Sequence, residues 1–122
     1  MVHELVINGN TYQFKLGIKF MRDVNKRAER KIEGLDITEK IGMSLMIASL
    51  IDGDIDELFY ALRFANEGFT PRLEPSEFDK WIEDDNTDID AVFKEVLGFF
   101  EKSNCCKTTY RKVKAQADAV GA

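Results

Sequence analysis

Residues Leu5–Arg27 read LVINGNTYQFKLGIKFMRDVNKR, and this stretch decides how the chain begins to fold. Two short runs of alternating apolar residues flank Asn8-Gly9, a dipeptide that tolerates the positive φ angles of tight hairpin turns. The residues of one face are largely apolar before and after the turn: His3, Leu5, Ile7, Tyr12, Phe14 and Leu16. Because a two-stranded hairpin is only marginally stable in water, this face must pack on the helices that follow.

Five helices are predicted after the hairpin, from apolar residues spaced by three and four and from capping residues. Gly34 is expected to end the first helix, and the pair Asp36 and Glu39 to cap the start of the second. The five helices are predicted to begin after Gly17, Asp36, Asp54, Glu74 and Thr87. The sequence thus predicts an α+β fold, mostly α, with an N-terminal β-hairpin packed on about five helices.

The second predicted helix is apolar on two opposite sides. One side carries Ile37, Ile41, Leu45 and Ala48, and the other carries Met43, Met46, Ile47 and Leu50. A helix of this kind is buried on both sides, either as a central core helix or as part of a subunit interface. Both alternatives stay open at this point, and Met43 and Met46 become partner-binding candidates if the helix is only partly covered.

A chain of 122 residues with this composition is expected to form one domain. We expect a single α+β domain over 1–103 and a flexible basic tail over 104–122. The net charge of −5 is unevenly spread, since eight acidic residues lie between Glu74 and Asp90 against Lys80 alone. An acidic body argues against general affinity for nucleic acid. The uncharged run Ile41–Ile51 is too short to cross a membrane.

The residues needed for catalysis or cofactor binding are scarce. His3 is the single histidine, Cys105 and Cys106 are adjacent, and no phosphate-binding glycine motif occurs. Asp52, Asp54 and Asp56 match the first ligand positions of a calcium loop, but Arg63 stands where its last carboxylate belongs. We therefore expect no enzyme activity, no cofactor and no metal site.

Several segments resemble, in order, a tail assembly chaperone family of long-tailed, siphovirus-type phages of Gram-positive bacteria. They are Ile7-Asn8-Gly9, Tyr12, Phe14–Phe20, Gly42-Met43, Asp52-Gly53-Asp54 and the acidic segment Asp84–Asp90. The similarity extends from Val2 to Ser103, and its motifs are structural rather than catalytic.

The resemblance implies a chaperone that binds the tape measure protein and keeps it soluble while the tail tube polymerises around it. It also implies weak homo-oligomers, and possible contact with the tail tube protein and with a longer, frameshifted form of the chain. The expected location is the cytoplasm of the host cell, not the mature virion, with no nucleic acid and no membrane as partner.

Aromatic side chains away from the predicted core are the candidates for partner binding. Tyr60 and Phe64 project from the third helix opposite its inward stripe, and Phe99 lies at the edge of the fifth helix's stripe. Two other functions stay open. One is a small nucleic-acid-binding regulator that uses Lys19, Arg22, Lys26 and Arg30 together with the basic tail. The other is a structural tail component of the virion.

Overall fold

A computed structural model describes residues 1–121 of the chain. The fold is α+β and mostly α, as predicted, with two separate two-stranded antiparallel sheets in the described part. The elements are β1 His3–Ile7, β2 Asn10–Phe14, α1 Ile18–Asn25, β3 Glu29–Lys31, β4 Thr38–Lys40, α2 Gly42–Ile51, α3 Ile55–Ala65, α4 Pro75–Glu83, α5 Ile89–Lys102 and α6 Lys107–Gly121.

The N-terminal hairpin is confirmed. Asn8 and Gly9 turn the chain with φ angles of 52° and 83°, and β1 pairs with β2 in the register His3↔Phe14. The predicted apolar face is buried on both strands and continues through Leu16. The Lys15 N–H donates to the Ala65 carbonyl over 2.8 Å, so the end of the hairpin is fixed to α3.

The first helix is much shorter than predicted. It ends at Asn25, because this residue turns toward the start of α2, where its Oδ1 accepts from the Met43 N–H at 2.9 Å. Ala28 then accepts from the Ile41 N–H at 2.9 Å. The predicted capping pair Asp36 and Glu39 is therefore wrong, since α2 receives its cap from a distant asparagine.

Residues between α1 and α2 form a second β-hairpin instead of helix. Gly34 reverses the chain at φ 81°, and Glu29 pairs with Lys40 at the open end. Every residue of β3 and β4 is exposed on both faces of this small sheet. We call residues Glu29–Lys40 the arm.

Helix α2 is the central core helix, the first of the two predicted alternatives. Met43, Met46, Ile47 and Leu50 are buried, and α2 contacts α1, α3, α5 and α6. The opposite side is not fully covered, since the Leu45 side chain is exposed. The helix therefore supports the core with one face, although its sequence is apolar on two.

Residues after Ser103 differ from the frayed or disordered tail that we expected. They form α6, which packs on α2 and α5 and buries Val113, while Cys106 in the preceding turn is fully buried. The division into a domain of 1–103 and a tail of 104–122 stays a prediction.

A buried asparagine fixes the loop between α3 and α4. The Asn66 Nδ2 donates to the carbonyls of Gln13 and Pro71 at 3.0 and 3.2 Å, and its Oδ1 accepts from the Leu73 N–H at 2.7 Å. Because Asn66 is fully buried, these bonds satisfy a side chain that would otherwise be costly to desolvate.

The contact between α1 and α2 depends on a residue without a side chain. A Cβ at Gly42 would lie 1.9 Å from the Val24 carbonyl oxygen, so Gly42→Ala must push the helices apart. We expect a loss of about 1–3 kcal/mol in the free energy of unfolding. Urea denaturation measures this loss.

Gly98→Ala is the matched control, because a Cβ at Gly98 meets no atom within 4 Å. It replaces glycine inside α5 and should raise stability by up to about 1 kcal/mol. Equal effects of the two substitutions would contradict the close approach at Gly42.

Candidate functional site

Helix α3 presents two aromatic rings on the side turned away from the core. Tyr60 is 44 % exposed and Phe64, one turn later, is half-buried. The buried face of α3 consists of Leu58, Ala61, Leu62 and Ala65. The predicted aromatic pair thus exists and lies at the surface.

Arg27 lies over both rings. Its guanidinium carbon is 4.8 Å from the centroid of Tyr60 and 5.7 Å from that of Phe64. Glu57 holds the guanidinium through two hydrogen bonds of 3.0 and 2.9 Å. A planar cation held in this way stacks on aromatic faces and covers part of their apolar area.

Sequence reasoning missed this cover. Arg27 and Glu57 are thirty residues apart, and no local spacing relates a loop arginine to the first turn of α3. The only sign of it in the sequence is that Arg27 is basic and follows the first helix, and such a residue is usually solvated.

A groove continues the surface beyond Phe64. It has a volume of about 280 Å³, and its apolar lining includes Ile18, Phe64 and Phe69. Ile18 is exposed at the start of α1, and Phe69 is half-buried in the loop after α3. We call Ile18, Tyr60, Phe64 and Phe69 the aromatic surface; Lys15 and Lys19 lie at its edge.

The other three candidates are not at the surface. Phe99 is 6 % exposed and its ring stacks on His3 at 4.3 Å, while Met43 and Met46 are 2 % and 1 % exposed. Phe99 is buried because its ring stacks on His3 and Phe14 of the N-terminal hairpin. The two methionines are buried because they lie on the face of α2 that is turned to the core. None of these three side chains is available to a partner in this structure.

A sequence model of the family described as phage tail assembly chaperone protein, TAC, matches residues 4–114. The match includes both hairpins, helices α1 to α5 and the first half of α6. The chain belongs to this family. No curated protein and no solved structure gives a significant match.

Membership of a chaperone family implies a non-enzymatic role. The His3 Nε2 lies 3.4 Å from the Ser103 Oγ, but that hydroxyl donates to the Phe99 carbonyl at 2.7 Å. Burial, assisted by Lys102, lowers the pKa of His3. This serine–histidine pair therefore stabilises the junction between β1 and α5 and activates no nucleophile.

The buried thiol of Cys106 is a poor nucleophile. Burial, together with Cys105, raises the pKa of Cys106 to about 12. The thiol is therefore protonated at neutral pH, and only the thiolate is a good nucleophile.

The predicted basic stripe on the first helix is broken up. Lys19 pairs with Asp23 at 2.7 Å and with Glu67 at 3.0 Å, and the hydrogen bond to Asp23 raises the pKa of Lys19. Arg30 lies on β3, where it pairs with Glu39. The four cations therefore do not form one helix face.

Two aspartates of the acidic clusters have a structural role, because their side chains accept hydrogen bonds from backbone N–H groups. Asp54 accepts from the Glu57 N–H and Asp88 from the Ala91 N–H, so both cap helices. Within residues 1–121, no three His, Cys, Asp or Glu side chains converge in a group suited to a metal ion. None of the helices in this part of the chain combines the length and hydropathy needed to span a bilayer.

The buried His3 makes the stability of the chaperone depend on pH. Its native pKa lies below the ordinary value of 6.5, so protonation favours the unfolded chain. The stabilisation by the neutral ring is complete above pH 6.5 and is lost as the pH falls below that value toward the native pKa. Urea denaturation over a series of pH values should show this loss.

His3→Phe keeps a ring against Phe99 and cannot titrate there. Its stability should fall less steeply below pH 6.5 than that of the wild type. If the difference in the free energy of unfolding between the wild type and the variant stays constant with pH, His3 is not the source of the pH dependence.

Proposed function

We propose that the chain binds the tape measure protein and keeps this client soluble while the tail tube polymerises around it. The aromatic surface on α1 and α3 is the observation that carries the proposal. An exposed tyrosine and a partly buried phenylalanine beside an apolar groove form the kind of apolar surface that marks a protein-binding site.

The chemistry of the surface suits an apolar, helical client. Rings of Tyr60 and Phe64 lie four residues apart on one helix face, and the groove beside Phe64 continues toward Ile18. A client helix laid across this surface would bury leucine or isoleucine side chains against the rings, as in helix-in-groove recognition. No nucleotide or cofactor is needed for such reversible covering.

Arg27 explains how the free chaperone tolerates its own apolar surface. The guanidinium shields both rings while Glu57 satisfies its charge. A client that presents an acidic residue beside its apolar stripe can engage Arg27 and still contact the ring edges. This gives a preference for amphipathic helices over disordered apolar chains.

The remaining parts of the proposal concern assembly. Many copies coat one long client, so we expect weak homo-oligomers, with contact to the tail tube protein as the tube replaces the chaperone. A longer form of the chain produced by frameshifting is a further expected partner. The chaperone acts in the host cytoplasm and leaves before the virion is complete.

Mass spectrometry of purified virions should therefore not detect the chain. Its detection there would favour a structural tail component.

The aromatic surface is tested by Tyr60→Ser combined with Phe64→Ser. Loss of both rings removes the central apolar contacts and should weaken binding of the tape measure protein at least about tenfold. Tyr60 is exposed, but Phe64 packs partly against the core, so circular dichroism and urea denaturation of the variant should first show that it is folded. Co-purification after co-expression, followed by a titration with a soluble client segment, measures the change.

Val6→Ser combined with Ile55→Ser is the matched control, because both side chains are exposed apolar residues away from the aromatic surface. The control should retain the client. Equal client capture by the wild type and by the Tyr60 and Phe64 variant would remove the assignment.

A further inference from the structure

The second apolar side of α2 is a feature that the proposed client binding does not use. Ile41, Leu45 and Ala48 form it, opposite the buried face of the helix, and the Leu45 side chain is 50 % exposed. A single exposed leucine is ordinary on a protein surface. Leu45 differs because it borders a pocket of about 300 Å³ at the junction of α1 and α2.

The pocket is mainly apolar on the side of α2. Its apolar atoms come from Ala28, Gly42 and Leu45, and Ser49 adds a hydroxyl. We call these four residues the junction pocket. A volume of about 300 Å³ is at the lower end for ligand pockets, so the pocket suits side chains of a partner rather than a whole cofactor.

One ion pair lies between the junction pocket and the aromatic surface. Arg27 and Glu57 line the junction pocket. The Arg27 guanidinium carbon also lies 4.8 Å from the centroid of the Tyr60 ring and 5.7 Å from that of Phe64. The two apolar regions are therefore neighbours that meet at this pair.

The guanidinium of Arg27 has donors that the chain itself does not use. Within residues 1–121, its side-chain hydrogen bonds are the two to Glu57, from Nη1 and Nη2. These occupy one edge of a group with five N–H donors, and the edge that includes Nε is a second bidentate site for a carboxylate. Because the Arg27 side chain is 31 % exposed, a carboxylate of a partner can bind there without displacing Glu57.

The pair of Arg27 and Glu57 is neutral as a whole. Recognition of a second carboxylate therefore depends on direct hydrogen bonds to the guanidinium and not on a long-range field. Glu57 opposes this recognition by like-charge repulsion, which gives the test a variant that should strengthen binding.

We propose that the junction pocket and the aromatic surface are two halves of one binding site, with Arg27 between them. The inference rests on the proposed function and names the chemistry of its partner: an amphipathic helix whose apolar stripe is interrupted by one acidic residue. Apolar side chains on one side of the acid contact Leu45, and those on the other side cover Tyr60 and Phe64.

Helical spacing suits this arrangement. Residues four apart on a helix lie on one face, about 6 Å from each other along the axis. The distances of 4.8 and 5.7 Å from Arg27 to the two rings are close to this spacing. An acid and an apolar residue one turn apart on the partner therefore reach Arg27 and a ring together.

The test uses the purified full chain and three synthetic amphipathic helical peptides. The first peptide carries leucine pairs on both sides of a central glutamate, the second has glutamine in place of the glutamate, and the third has alanine in place of the leucines on one side. Fluorescence anisotropy measures the dissociation constants. The wild type should bind the glutamate peptide about fivefold more tightly than the glutamine peptide.

The role of Arg27 is tested by Arg27→Gln combined with Glu57→Gln, which leaves the net charge unchanged. The preference for the glutamate peptide should disappear. Glu57→Gln alone should enlarge the preference, because the repulsion from its carboxylate is gone. Arg30→Gln with Glu39→Gln removes another exposed ion pair, 2.6 Å long and on the arm, and this matched control should keep the preference.

The junction pocket is tested by Leu45→Ser. It should weaken binding of the first peptide about fivefold and change binding of the one-sided peptide little, because that peptide lacks the leucines for this pocket. Ile37→Ser is the matched control, since Ile37 is similarly exposed at 54 % and lies on the arm. Circular dichroism and urea denaturation should first show that every variant is folded.

Equal binding of the glutamate and glutamine peptides by the wild type would overturn the assignment of Arg27, and equal effects of Leu45→Ser and Ile37→Ser would overturn that of the junction pocket. Displacement of the first peptide by unlabelled chaperone would show that a second copy occupies the site, which also overturns the proposal. If no peptide binds while the chain still retains the tape measure protein, the inference fails and the proposed function stands. Failure of the proposed function is seen separately, as no capture of the tape measure protein on co-expression.

Discussion

The junction of α1 and α2 is the contact on which the rest of the structure depends. Gly42 lies against the Val24 carbonyl, and the Asn25 side chain caps the Met43 N–H. The close contact and the hydrogen bond together stop α1 at its second turn and start α2 at a fixed angle to it. Residues between the helices are excluded from the core as a result, and they pair with each other as the arm.

The same junction positions the aromatic surface. Arg27 follows α1 directly, so the end of that helix determines that its guanidinium reaches Glu57 and the rings on α3. A longer α1, as the apolar spacing predicted, would carry Arg27 on a helix face. The half-covered rings are thus a consequence of where one helix ends.

Two kinds of exposed apolar surface coexist on this chaperone, and they differ in how they are protected. The aromatic surface is shielded by a paired arginine, whereas the arm tip is flanked by acidic residues. Charges beside apolar groups limit nonspecific aggregation and leave specific association possible. A protein that handles an apolar client needs both properties at once.

Features set by neighbouring residues could be predicted from the sequence. Asn8-Gly9 adopts the positive φ angles of a tight turn, Asp54 caps α3, and Pro75 opens α4, because each effect depends on a few adjacent backbone groups. The family, too, was predicted from the sequence, on segments that follow in order from Ile7 to Asp90. The positions of Tyr60 and Phe64 on one side of α3 could be predicted from the period of a single helix.

Only the tertiary structure decided the rest, because it depends on contacts between residues far apart in the chain. The side chain that caps the start of α2 is that of Asn25, not those of the neighbouring pair Asp36 and Glu39. Helix α6 is stabilised by packing of its apolar side chains on α2 and α5. Phe99 lies under β1 for the same reason. The periodicity of the sequence shows which apolar side chains need to be buried. It does not show which distant residues bury them, because those contacts form only in the tertiary structure.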